Sequence, residues 1–169
     1  VHAPFYNKIN ELLHINTPEF YLSYTETPAL KARIKHIGDI INHPSDLVSL
    51  GAFSMVEGAI LYSSFAFLKH FQSEGKNKLM SVVRGINFSV RDENLHSTAG
   101  AWAFKYKART ASKEEMIEVE ATLRATAHQI LEHEKEIINL TFIKGKIEGT
   151  TAHQLENFVM SRLNECLKE

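Results

Sequence analysis

The sequence predicts an all-α protein built as an antiparallel helical bundle, on three observations. Apolar residues recur at intervals of three and four through most of the chain, and no stretch alternates apolar with polar residues long enough to make a strand. Helix-starting signals stand at Thr27-Pro28, Ser45-Asp46 and Ser112-Lys113-Glu114-Glu115. With 169 residues, 44% of them apolar and 23% charged, the chain can enclose one sizeable core, so residues 1–169 are expected to form a single domain.

The opening segment carries Phe5, Ile9, Leu12, Leu13 and Ile15 near a helical period, and Pro4 suits only the first turn of a helix or a kink. A helix therefore starts near Ala3, or resumes one begun elsewhere, and Asn16-Thr17-Pro18 ends it. Thr27 as cap and Pro28 as first residue open a second helix over Ala29 to Ile41, with Leu30, Ile34, Ile37 and Ile41 inward and Lys31, Arg33 and Lys35 outward. His36 and His43 read as solvated. Pro44-Ser45-Asp46 caps a long helix that runs through Gly51 to Leu68 and ends near Gln72, before Ser73-Glu74-Gly75. From Asn77 a further helix carries Leu79, Met80, Val83, Ile86 and Val90 and continues past Trp102, a packing residue, to Phe104. The capping box at Ser112 to Glu115 opens a helix of about thirty residues with Met116, Val119, Leu123, Ala127, Ile130 and Ile137 near heptad spacing. Gly145 and Gly149 bracket a turn, and Leu155, Phe158, Val159, Leu163 and Leu167 mark the last helix.

A formal net charge of −1 with no basic face argues against nucleic acid and against an acidic membrane surface. Cys166 stands alone, which rules out a disulfide within this sequence and suits a reducing compartment. The first residues show neither a basic start nor a signal-peptide core, and a cytoplasmic location is expected. The stretch from Gly51 to Leu68 is apolar, but Glu57 sits near its middle and no Lys or Arg cluster precedes it, so it reads as a buried bundle helix rather than a membrane span.

Glu57 carries the only charge in that stretch, and a carboxylate among apolar residues must find a cation, a metal or a proton. Arg91 would serve as an ion-pair partner. Glu93 and His96, three apart and so neighbours on one helix face, could instead present an oxygen and a nitrogen to one ion. A lone Glu on one helix beside a Glu-x-x-His on the next is the pattern that forms each half of a di-iron or di-manganese carboxylate site in a bundle core. Glu11 with His14, His128 with Glu132, and His133 with Glu136 have comparable spacing but read as surface pairs. The better second-half candidate is His2, four residues before Tyr6 and thus on the same face.

Three strings, V-H-A-P-F-Y-N-K-I, S-M-V-E-G-A-I-L-Y-S-S-F and I-N-F-S-V-R-D-E-N-L-H, resemble the small, radical-carrying subunit of class I ribonucleotide reductase, and the resemblance extends over essentially the whole chain. It implies a ferritin-like fold holding two iron ions, or manganese, that use oxygen to oxidise a nearby tyrosine to a radical for ribonucleotide reduction by a large subunit. By motif, Glu57, Glu93 and His96 match ligands of one metal half, and His2 the histidine of the other. Tyr6 falls at the radical tyrosine, and Asp92 at the carboxylate that orients the first-half histidine and lies on the electron-transfer route. Phe65, Leu61 and Ser89 match the radical pocket.

The family's first-half Asp and Glu would precede Val1, and Leu61 and Ser89 stand where larger or more apolar side chains are usual. The family's relay tryptophan and its C-terminal docking tail have no counterpart in these residues. The resemblance thus implies the C-terminal portion of a divided or processed subunit, completed by an N-terminal fragment that donates the missing Asp and Glu, assembled as a homodimer and served by the large subunit. A di-metal oxidase or oxygenase without a stable radical, and a non-catalytic bundle fragment, are the alternative readings.

Overall fold

Ser45 starts the helix on which the others are assembled. Its hydroxyl accepts from the Val48 N–H, and its own N–H donates to His43 Nδ1, so the chain turns sharply out of Pro44 into α4, Asp46–Ala59. The computed structural model describes residues 2–168, and among them the α-helices are α1 (His2–Leu12), α2 (Pro18–Leu22), α3 (Pro28–Ile41), α4, α5 (Tyr62–His70), α6 (Met80–Ala108), α7 (Lys113–Thr141) and α8 (Ala152–Cys166). Short 3-10 turns lie at Ser23–Thr25 and Ser73–Gly75, and the described residues form no strand beyond one isolated bridge between Ile147 and Thr150. The all-α bundle follows the apolar periodicity.

The core lies where α4 meets α7 and α8. Leu47, Val48, Ala52, Met55 and Ala59 of α4 interlock with Val119, Leu123, Ala127 and Ile130 of α7 and with Leu155, Val159 and Leu163 of α8. Gly145 and Gly149 both adopt positive φ, 119° and 77°, which turns the chain between α7 and α8. Thr151 caps α8 through a reciprocal box with Gln154, whereas Ser112 caps α7 by accepting from the Glu115 N–H.

The expected continuous helix to Gln72 is instead two helices. Ile60 is extended and Leu61 left-handed, with φ 73°, so α4 ends at Ala59 and α5 starts in a new direction. Arg162 of α8 supports the break by donating from Nε to Gly58 O at 2.9 Å, a carbonyl in the last turn of α4, where a cation is favoured. The combined stretch Asp46–His70 is long and apolar enough to cross a membrane by composition, but half of its most apolar part is buried within the bundle.

Two orientations differ from expectation. In α3 the buried face runs through Arg33 and Ile40 while Ile34 and Ile41 face out, because Arg33 reaches the fully buried Glu134 of α7. Trp102 is 68% exposed and stacks on Tyr106 along the outer face of α6 rather than packing inward. His36 and His43 are half-buried rather than solvated; the His36 ring lies 5.1 Å from that of His133.

Candidate metal centre

Small residues bring the two acid-bearing helices together. Gly58 of α4 faces Ser97 of α6 so closely that a Cβ would lie 2.5 Å from the Ser97 hydroxyl, and a Cβ at Gly100 would come within 3.2 Å of the Ser54 backbone. Within this contact Ser54 donates to Ser97 O at 2.9 Å and Ser97 to Ser54 O at 2.8 Å. The reciprocal pair locks the register one turn from Glu57 and next to His96. Nothing in the spacing of Ser54 or Ser97 marks them, since each acts only through the other.

That register brings Glu57, Glu93 and His96 together, with one ligand atom from each lying within 4.8 Å of the others. His96 Nδ1 is 3.0 Å from Glu57 Oε2 and 3.2 Å from Glu93 Oε2, so two carboxylates converge on a single N–H. Burial, then the hydrogen bond to Glu93, holds the Glu57 carboxyl above the ordinary range, with His96 pulling the other way. Hydrogen bonds from Glu57 and Glu93 hold the His96 imidazole above its ordinary value. Arg91 does not serve Glu57: its Nε lies 3.8 Å from Asp92 and its guanidinium sits over the Phe88 ring. Two half-buried carboxylates and an imidazole with a charge deficit between them form a donor set that fits a hard or borderline divalent cation.

The other residues singled out from the sequence gather beside this cluster. Phe5 of α1 packs against Gly85 of α6, where no side chain could fit, and so docks α1 along α6. His2 Nε2 then lies 2.9 Å from Asp92 Oδ2, and Tyr6 Oη 2.9 Å from Ser89 Oγ. A cavity of about 320 Å³ is lined by His2, Tyr6, Leu61, Phe65, Ser89 and Glu93 among others, which places the phenol and one carboxylate of the acid cluster on a shared space. The remaining Glu and His pairs are otherwise engaged: Glu11 binds Lys8 and Asn7, and Glu132 binds Lys135.

The profile described as "Ribonucleotide reductase, small chain" matches residues 1–169. The chain belongs to the ribonucleotide reductase small-chain family. It is also similar to a probable ribonucleoside-diphosphate reductase small subunit of Invertebrate iridescent virus 3, with 29% identity over 123 residues, which is 72% of this chain and 32% of that relative. The chain therefore spans about a third of the length of the curated relative it matches. A ferritin-like, all-α architecture is what the ribonucleotide reductase small chain requires, and the bundle around α4 and α6 supplies it.

Sequence reasoning missed the buried Arg33, Glu134 and Ser63 triad, in which Arg33 donates to Glu134 Oε1 at 2.5 Å and Ser63 to Oε2 at 2.7 Å. Arg33 looked like one face of an ordinary amphipathic helix. Its partner lies 101 positions away, beyond the reach of any local pattern.

Proposed function

We propose that this chain is part of a ribonucleoside-diphosphate reductase small subunit in which Glu57, Glu93, His96 and His2 hold a di-metal centre and Tyr6 carries a radical. The observation that carries the reading is the convergence of Glu57, Glu93 and His96 on one point in a member of this family. Two iron ions, or manganese in their place, would supply oxidising equivalents drawn from oxygen. The chain's own residues orient and insulate. Asp92 accepts the His2 Nε2–H and fixes that ring with Nδ1 inward, as a carboxylate behind a ligating histidine does. Phe65 and Leu61 wall the cavity beside Tyr6, and Phe65 is buried, which limits water at the phenol. Tyr6 would lose an electron and its phenolic proton, and Asp92 would lie on the electron path to a large subunit that reduces ribonucleotides to deoxyribonucleotides for DNA replication.

In this reading residues 1–169 form one ferritin-like domain. The Asp and Glu that complete the donor set come from polypeptide outside these residues, as the family's upstream helices or a separate fragment. The completed subunit would dimerise and work in the cytoplasm. The test adds ferrous iron and oxygen to the intact protein and follows electron paramagnetic resonance. A tyrosyl signal that disappears in Tyr6→Phe is expected. A metal-loaded protein that gives no tyrosyl signal would instead support a di-metal oxidase, for which the cavity beside Tyr6 offers substrate space.

A further inference from the structure

Ser89 Oγ sits between two groups of the proposed site, 2.9 Å from Tyr6 Oη and 3.2 Å from His2 Nδ1. On the far side of the imidazole, Nε2 meets Asp92 Oδ2 at 2.9 Å. The polarity of this row follows from the donors each group owns. An ionised carboxylate only accepts, so His2 donates its Nε2–H to Asp92, and in the neutral form of the ring, the form that can bind a metal ion, Nδ1 offers only a lone pair. Ser89 has one proton, and Nδ1 takes it. The lone pairs left on Oγ accept the phenolic proton of Tyr6. Every donor therefore points one way, from Tyr6 through Ser89 and His2 to Asp92. Ser89 is 2% exposed, so the row is shielded at the serine, while its far end, His2 and Asp92, is about a third exposed at 32% and 38%.

We propose that the Ser89 hydroxyl is a positioning switch that couples metal occupancy of His2 to the sense of the Tyr6 hydrogen bond. The proposal rests on the reading of His2 as a ligand. Asp92 engages Nε2, so a metal ion can bind the ring only through Nδ1, the same lone pair that holds the serine proton. With that acceptor taken, the Ser89 O–H has Tyr6 Oη as its remaining neighbour and the bond reverses: serine donates and the phenol accepts. The phenolic proton is then left to turn into the adjoining cavity. The reversed sense is the one an oxidised tyrosine needs, because a phenoxyl oxygen has no proton and can only accept. An aliphatic side chain at this position would support neither arrangement. Ser89 thus makes the phenol a donor while the site is empty of metal and an acceptor once His2 is bound.

The test is ultraviolet resonance Raman spectroscopy of the tyrosine Fermi doublet in the intact protein, with the Tyr6 contribution isolated by subtracting the spectrum of Tyr6→Phe. Mn²⁺ under anaerobic conditions is the probe, and bound Mn²⁺ is counted in each sample. The metal-free protein should give the doublet ratio of a donating phenol, and Mn²⁺ should move it toward that of an acceptor. Ser89→Ala should lose both the donor signature and the Mn²⁺ response. Ser89→Thr, which keeps the hydroxyl beside a cavity with room for a methyl group, should restore them. A metal-free Tyr6 doublet identical in wild type and Ser89→Ala overturns the row, and an Mn²⁺ response that survives in Ser89→Ala overturns the switch. If no Mn²⁺ binds, the ligand reading fails and the switch with it, while the metal-free comparison still decides the row.

Discussion

Glu57 and His96 are both held above their ordinary values, Glu57 by burial and then by its hydrogen bond to Glu93, with His96 acting against the shift, and His96 by its hydrogen bonds to Glu57 and Glu93. A metal ion held at this cluster, as proposed, would compete with protons for the same atoms, so its binding should release protons and weaken on acidification. The sign is set by the raised values: as the pH falls toward and below the ordinary imidazole value of about 6.5, His96 charges before a free histidine would and competes with the cation. Titration calorimetry with Mn²⁺ in buffers of different ionisation enthalpy should show heats that scale with the buffer. Heats independent of the buffer would contradict this. Removing a proposed ligand acts more simply: Glu93→Ala should cut metal stoichiometry, whereas a purely structural Glu93 would leave the metal content unchanged. The acid cluster was legible because Glu57 is the only charge in an apolar stretch and Glu93 and His96 share one helix face. Ser54 and Ser97, which set the distance between those helices, were not, because two serines acquire a role only when tertiary packing opposes them.

Among the elements, the break between α4 and α5 was hidden. A run as apolar as Gly51 to Leu68 reads as one helix, and no Pro or Gly stands at Ile60-Leu61 to announce the turn. Leu61 takes a left-handed conformation that costs an L-residue about 1–2 kcal/mol. Two truncations at this position test the break. Leu61→Gly should be more stable than Leu61→Ala by about 1 kcal/mol, the reverse of the usual helical order, as chemical denaturation would report. Retention of the helical order would mean that α4 and α5 form one continuous helix in solution. The same segment is tied to the bundle by Ser63, through Glu134 to Arg33. Glu134→Ala leaves the nearly buried Arg33 without its counter-charge and should destabilise by about 3–5 kcal/mol. The double replacement Arg33→Met with Glu134→Leu should cost less than Glu134→Ala alone. A double variant that costs as much as Glu134→Ala or more would show that the pair contributes more than it costs to bury.

At the scale of the whole molecule, the contact of α3 with α7 carries a pH dependence outside the metal site. His36 has a buried Nε2 with no hydrogen-bond partner, and burial, followed by the neighbouring His133, holds its ring below the ordinary histidine value; Asp39 opposes and Lys35 reinforces. A base with a lowered folded value is neutral in the fold and charges more readily once unfolded. Its contribution is therefore complete above about pH 6.5 and is lost as the pH falls from there toward the folded value. The unfolding midpoint should drop between pH 7.5 and 5.5, and His36→Leu should flatten that drop. An equally steep fall in the variant would move the dependence to other groups.

Sequence alone determined the helical class, most helix starts and the identity of the acid cluster, because periodicity, caps and an isolated charge are local properties written into neighbouring residues. It also carried the family strings around His2, Tyr6, Glu57, Glu93 and His96, which the profile match over residues 1–169 bears out as family membership. Only the tertiary structure decided where α4 stops, which face of α3 is buried, and that Tyr6, Ser89, His2 and Asp92 form one hydrogen-bonded row. Each of these depends on groups tens of residues apart that meet only when α1, α6 and α7 have docked. The energy that selects them comes from burial and from satisfying buried polar atoms, neither of which any local stretch of sequence expresses.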